Sequence, residues 1–346
     1  MLTHSDESRH VRLVDIVLWS IVGALLIAAA ASAVGILQRE VYSPRGVVSA
    51  YLRAIADHDV RAALAFPGVA DGIESGPQAS KELLRSDVLG TLTDVEIVAD
   101  DEFGTGRHRV TAEYRIDGVK ASSSFMLERA GAVAGVFTQW RFATSPLGVL
   151  RVTVEHTTSF TLAGHTLDAR AAAPKEEGGA FSAVGDYLVF APSRYSLGHR
   201  SALLEAHDVT ALVTRPRAVT EARVVALPTR AFTQKVQREL DAFLNECAKQ
   251  EVLQPSGCPF GTTIDDRVTS DPRWSIDEYP RVELGAAGDS WESPPSMGVA
   301  RITVEVQSLY DGSIDRIDRQ EQFVVALRPI VIDGNGVVHI QLAALD

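Results

Sequence analysis

The sequence predicts an α+β protein: an N-terminal transmembrane helix, a helix followed by a curved antiparallel sheet, a small β-rich middle module, and a second helix-plus-antiparallel-sheet domain. Three observations carry this. An apolar run near the N-terminus has the length of a bilayer span, helical periodicity then gives way to strand alternation, and the same order returns in the last third of the chain. The expected organisation is a short cytoplasmic tail over 1–15, the span over 16–37, a domain over 43–145, the β-rich module over 146–227 and a C-terminal domain over 228–346.

A chain of 346 residues exceeds one ordinary core and suggests two or three domains. With 46% hydrophobic and 23% charged residues, each domain has the material to bury an interior. The formal charge of -12, without any cluster of Lys or Arg, speaks against a nucleic-acid partner, because phosphate neutralisation needs concentrated positive charge. Lys occurs only at positions 81, 120, 175, 235 and 249, so the basic residues are overwhelmingly Arg. Together with abundant Ala and Val, this is the composition of a bacterium with a GC-rich genome.

Ile16 to Leu37, IVLWSIVGALLIAAAASAVGIL, runs 22 residues without a charge. At the helical rise this reaches about 33 Å, enough for a hydrocarbon core of about 30 Å. The lipid bilayer is therefore the first expected partner. Trp19 suits an interface, and Arg9 and Arg12 before the run balance Arg39 and Arg45 after it, so charge counting leaves orientation open. A cleaved signal peptide is the competing reading, since Ala31-Ser32-Ala33 resembles a small-residue cleavage site, although the apolar run continues to Leu37. Either way, the roughly 15 residues before the run are too few to fold, which places the large C-terminal portion outside the cytoplasm.

Ser43 is a plausible N-cap with Pro44 at the first helical position, and Val47, Tyr51 and Ile55, flanked by Val48 and Leu52, form one apolar stripe. Asp57-His58-Asp59 breaks this helix, Val60 to Phe66 supplies a second, and a short helical stretch is expected over Lys81 to Ser86. Alternation then takes over at Val95 and Ile97 and at Val110, Ala112, Tyr114 and Ile116. The turn signal Asp117-Gly118 leads into Ser122 to Glu128, and Val136 to Phe142 completes a sheet. The segment SPRGVVSAYLRAIADHDVRAALAF resembles the opening of nuclear-transport-factor-2-like domains, over roughly residues 43 to 144. That resemblance implies a sheet wrapped around the helix into a cone. Such domains include ketosteroid-isomerase-type enzymes and many non-catalytic binding or assembly modules, so the fold alone leaves function undecided.

From Leu147 to Val225 no helical stripe is sustained. Short β-like runs appear at 150–154, 158–162, 187–190, 209–213 and 222–225, and Ala171 to Gly179 reads as a loop. Thr229 is a candidate N-cap for the last helix, along which Phe232, Val236, Leu240, Phe243 and Cys247 step by four, four, three and four. The helix must stop before Pro255-Ser256-Gly257. Alternating segments follow at 274–284, 299–309, 322–327 and 337–342, the last entered through Asp333-Gly334-Asn335-Gly336.

Cys247 and Cys258 are the only cysteines. A structural zinc site needs four ligands in close pairs, and neither a C-x2-C nor a nearby His accompanies them. A thioredoxin-type redox pair is C-x-x-C, whereas ten residues intervene here. A helix end followed by a Pro-Gly turn folds the second Cys back toward the first, and an exported domain meets an oxidising environment. The reading favoured is a disulfide, stabilising by about 3 kcal/mol through closure of a short loop; two buried free thiols are the alternative. CAKQEVLQPSGCPFG, RWSIDEYP and SLYDGS together resemble a group of membrane-anchored actinobacterial proteins, over roughly 150 to 346. This resemblance implies a membrane location and an extracytoplasmic domain, and no chemistry.

No G-x-S-x-G, H-E-x-x-H, Walker A or Rossmann fingerprint is present, and no cofactor or catalytic residue is assigned. Asp57-His58-Asp59 is the nearest approach to an acid–base cluster, and with Tyr51 or Tyr114 lining an open cavity it would suggest an isomerase- or hydratase-like site. The simpler reading is a solvated helix break with Asp59 capping the second helix. Asp265-Asp266 and Asp311-Gly312-Ser313 lack the spacing of a calcium loop and read as turns. Trp274 and Tyr279 have opposite parity along one strand, so one belongs to the core, leaving Trp291, in an expected loop, as the aromatic candidate for a binding surface. The functional expectation is a non-catalytic, membrane-anchored binding or scaffold protein facing a cell-envelope protein or the cell wall. A component of a secretion or conjugation apparatus is the second expectation, and the enzyme over 43–145 the third.

Overall fold

Helix α1 (Pro44–Ala56) begins where its cap sits. Ser43 is extended, its hydroxyl accepts the Gly46 N–H at 3.0 Å, and Pro44 occupies the first turn, where a missing N–H costs nothing. His58 turns left-handed at φ 56°, and Asp59 opens α2 (Val60–Ala65) by accepting the Ala62 N–H at 2.9 Å. A single turn, α3 (Asp71–Glu74), follows. The helix expected over 81–86 does not form. The Ser80 hydroxyl accepts the Glu82 N–H, the Ser80 backbone bridges to Tyr187, and only a 3-10 turn at Ser86–Val88 remains.

The structure is a computed structural model and describes residues 18–29, 32, 42–74, 78–133, 137–173, 179, 181–334 and 336–343. Residues 18–29 are helical, while the tail over 1–15 and most of the remaining predicted span over 16–37 lie outside the described residues. Among the described residues no helix is long and apolar enough to cross a membrane. The architecture is mixed α+β, mostly antiparallel, with one sheet curled into a half-barrel. Two compact units divide the chain: one holds 1–150, 187–195 and 211–220, the other 151–186, 196–210 and 221–346.

In the first unit, β1 (Leu92–Phe103), β2 (Arg107–Ile116), β3 (Val119–Val133) and β4 (Phe137–Phe142) form an antiparallel meander in chain order. Asp117 and Gly118, both at positive φ, make the two-residue turn that pairs Ile116 with Val119. Register shifts in β1 at Thr93/Glu96 and Ile97/Ala99 bend that strand. Val48, Tyr51, Leu52 and Ile55 of α1 pack in one cluster with Val110, Tyr114 and Phe125 of the sheet. The stripe at i and i+4 thus meets the alternate residues of two strands, which is how a helical period and a strand period share one core.

The middle of the chain adds β5 (Leu147–Glu155), β6 (Ser159–Leu162), β7 (His165–Asp168), β8 (Ser182–Phe190), β9 (Ser193–Arg200), β10 (Leu204–Val213), β11 (Val219–Val225) and β12 (Leu227–Pro228). They form a five-stranded sheet in the order β12-β10-β9-β6-β7 and a three-stranded sheet in the order β11-β5-β8. The boundary between the units falls inside β5, β8, β9, β10 and β11, so each contributes residues to both. Strands β7 and β9 carry few β-branched residues, and their pattern does not announce them.

In the second unit, Thr229 caps α4 (Arg230–Ala248), accepting the Phe232 N–H at 3.2 Å. The buried stripe is Phe232, Val236, Leu240, Leu244 and Cys247; Phe243, expected in it, is only partly buried at the core's edge. The facing sheet comprises β13 (Arg267–Val268), β14 (Arg273–Glu278), β15 (Gly285–Ala287), β16 (Ser290–Gln307), β17 (Ile314–Ile332) and β18 (Val338–Leu342). Strand β16 is its spine, pairing with β15, β14 and β13 in succession on one side and with β17 on the other. Ala300, Ile302, Val304 and Val306 alternate inward along it.

Gly298 faces Phe323 across β16 and β17, and a Cβ there would collide with the Phe323 ring and meet Pro280 at 2.8 Å. Gly298→Ala is expected to destabilise the fold by about 1–3 kcal/mol through overpacking. Denaturant unfolding of Gly298→Ala, Phe323→Leu and the double variant should give a positive coupling, the smaller ring recovering part of the loss; purely additive effects would disprove the close approach.

Candidate functional site

Cys247 and Cys258 form a disulfide with a Cα–Cα distance of 5.8 Å. The loop it closes is already shaped by one side chain. Gln250 Oε1 accepts the Ser256 N–H at 2.8 Å, its Nε2 donates to the Ser256 carbonyl at 3.3 Å, and Gly257 supplies the positive φ of 73° that turns the chain back.

The acid–base candidates of the first unit lie at helix ends or in the core. Asp57 ends α1 and Asp59 starts α2, both exposed. Tyr51 is fully buried among Phe66, Phe125 and Phe142 at ring separations of 6.0, 5.9 and 5.2 Å, and donates to the Ala191 carbonyl at 3.1 Å. Burial, then the neighbouring Tyr195 and Tyr114, push its phenol well above the usual value. Ser123 donates its one proton to the Thr214 carbonyl and so accepts from the Tyr114 hydroxyl. Burial pushes Tyr114 up to about 12. Among the described residues the one buried carboxylate is Asp186, held by Arg151 at 2.7 and 2.8 Å within the second unit.

The remaining sequence candidates are also placed. Asp266 accepts the Leu309 N–H, and Asp311 accepts from the Ser313 N–H and hydroxyl, so these acids shape turns. Among the described residues no group of three or more His, Cys, Asp or Glu is arranged to hold a metal. Trp274 is buried and donates to the Val252 carbonyl at 2.8 Å, while Tyr279 is exposed and bonds Asn245. Trp291 corrects the expectation of a loop aromatic: it lies in β16 and is 2% exposed.

Trp291 leads to a feature that sequence reasoning missed. The second unit contains a cleft of about 940 Å³ whose walls come from the turn after β5, the ends of β7, β9 and β17, the start of β16 and one side of α4. Its floor is aromatic. His156 lies 5.2 Å from both Phe181 and Trp291, Phe181 lies 5.5 Å from Trp291, and Phe232 of α4 meets Trp291 from beneath at 5.9 Å. His156 takes a left-handed φ of 64°, and its Nδ1 lies 2.9 Å from the Ala226 carbonyl. A carbonyl only accepts, so Nδ1 carries a proton.

His199, on β9, repeats this arrangement with the Ser159 carbonyl at 2.9 Å from its Nδ1. It is 5% exposed, and its Nε2 is sealed from solvent without a hydrogen-bond partner among the described residues. Burial pushes its imidazole below the usual value, with the Ser159 bond opposing. The charges along the walls are mostly committed. Arg170 holds Asp168 through bonds of 2.6 and 3.1 Å, which lower that carboxyl, and Lys235 donates to the Gly336 carbonyl at 3.3 Å. Asp333 accepts the Val337 N–H at 2.9 Å and meets His339 at 3.1 Å. The arrangement suits reversible binding of a small ligand, being concave and part aromatic with a few fixed polar groups.

Comparison with protein-family models, with curated proteins and with solved structures found no match for this chain.

Two outcomes follow from this geometry. Cys258→Ser should lower stability by about 3 kcal/mol in denaturant unfolding, and reductant should do the same to the native chain while leaving the variant unchanged. His199 governs the acid limb. The unfolded imidazole takes up a proton near about pH 6.5 and the folded one only at lower pH, so between these values the unfolded state binds more protons and stability rises with pH. Stability should therefore fall as pH drops below about 6.5. His199→Asn, which keeps a donor for Ser159, should flatten that fall; an equal fall in both proteins would show that other groups cause it.

Proposed function

We propose that the chain is a non-catalytic, membrane-anchored binding or scaffold protein of the bacterial cell envelope, held by residues 16–37 in the plasma membrane with its folded units outside the cytoplasm. The observation that carries this reading is the Cys247–Cys258 disulfide, which consumes both cysteines of the chain. Disulfides persist in oxidising compartments and are rare where thiols are kept reduced. The uncharged run of 22 residues supplies the matching address. A binding role is favoured over an isomerase-like one because Tyr51 and Tyr114 spend their hydroxyls on neutral partners, and Asp57 and Asp59 sit at exposed helix ends. The finer fold assignment proposed for residues 43–145 is a nuclear-transport-factor-2-like cone. The order α1, α2, then a four-stranded meander with a bent first strand supports it.

Topology is the direct test. In protease-treated spheroplasts of a strain expressing the full chain, residues 43–346 should be digested while a cytoplasmic marker survives. Protection of this region until the membrane is lysed would overturn the proposal.

A further inference from the structure

We propose that the cleft of the second unit binds an uncharged saccharide, a short chain of hydroxyl-bearing rings. This deepens the binding role proposed above and rests on it only in requiring a ligand.

The floor comes first. Phe181 and His156 are partly exposed rings packed over the buried Trp291, so they form a fixed apolar shelf. A shelf of this kind accepts the C–H face of a sugar ring with little loss of side-chain freedom, because Trp291 and Phe232 already hold it from beneath. The wall beside the shelf carries the hydroxyls of Thr157, Ser159 and Ser290, while Thr158 is engaged with Asp168 and Ser201 with the Leu204 backbone. Hydroxyls both donate and accept, and the ligand that answers them most fully is another set of hydroxyls.

The fixed groups then decide what the ligand must bring. Both histidines donate through Nδ1 to backbone carbonyls, and the Nε2 of His199 has no donor among the described residues. That nitrogen is sealed from solvent, so the acceptors open to a ligand are the carboxylates of Asp168, Asp289 and Asp333, which take an O–H directly or through one held water. The cations are already engaged, Arg170 with Asp168 and Lys235 with the Gly336 carbonyl. Three carboxylates, Asp168, Asp289 and Asp333, line the cleft against these two cations, so an anion meets net repulsion. A ligand rich in donors, without charge, with an apolar face, matches all of these features. The volume of about 940 Å³ lies within the range of small-molecule sites and leaves room for more than one ring.

The test is saturation-transfer NMR on the full chain in a detergent without a sugar headgroup, with cellotriose, maltotriose, mannotriose and triacetylchitotriose as neutral probes and trigalacturonate and tripolyphosphate as anionic ones. At least one neutral probe should show saturable transfer, strongest on ring C–H protons, with a Kd of about 0.1–1 mM. Phe181→Ala should weaken it about tenfold, Ser290→Ala should weaken it without disturbing the shelf, and Tyr310→Ala, an exposed change outside the cleft lining, should leave it unaltered. Circular dichroism matched to the native chain shows that each variant is folded. Absence of saturable transfer from all four neutral probes, unchanged affinity in both folded cleft variants, or preference for an anionic probe would each overturn the assignment. The outcome is separable from topology. Protease protection in spheroplasts removes the envelope location and leaves transfer intact, whereas loss of transfer leaves the protease result as it stands.

Discussion

The second unit depends on one strip of contact. Phe232, Val236, Leu240, Leu244 and Cys247 lie along a single side of α4, and the inward residues of β16 belong to the same core. A helix of this length gains little from intrinsic propensity, so the apolar strip is what makes it persist. The surrounding features protect that strip. Thr229 fixes where the helix starts, Cys258 ties down its far end, and Gly298 lets the Phe323 ring lie flat on the sheet. The cleft is a by-product of the same packing. Phe232, at the first turn of the strip, carries Trp291, and Trp291 carries the shelf above it.

The two units treat their interiors differently. In the first, aromatic rings surround Tyr51, and the hydroxyls of Tyr51 and Tyr114 end on a backbone carbonyl and a serine that itself serves a carbonyl. Both of these polar tips are consumed, which stabilises the fold. In the second unit the core stops short of the edge, and the space left is walled by turns. Two imidazoles there are fixed through Nδ1, and the Nε2 of His199 has no partner among the described residues. Chemistry that reaches outward is concentrated on that wall.

What was legible in the sequence was local. Ser43, Asp59 and Thr229 cap their helices because a cap needs only its own side chain and the next turn. The stripes of α1 and α4 were legible for the same reason, down to the choice between Phe243 and its neighbour Leu244, which only the facing sheet decides. Strands β7 and β9 were not legible, since HTLD and SRYSLGHR are held by their neighbours rather than by their own β-propensity. Strands β16 and β17 were read short because charged residues such as Asp315, Arg316 and Asp318 fill the exposed end of β17, and register shifts between Trp291 and Ser296 hide the alternation. The cleft could not be read at all. Its lining is drawn from residues between His156 and Gly336, and no spacing rule joins them.

Gln250 adds a kinetic meaning to the disulfide loop. By gripping Ser256 through both its amide oxygen and its amide nitrogen, it closes the hairpin between the two cysteines without any covalent bond. With the sulfurs reduced, the two thiols would remain neighbours at a high effective concentration rather than parting as ends of a free coil. The bond then resembles a latch on a door already pushed shut, and a chain newly delivered to an oxidising compartment need only meet an oxidant to seal it.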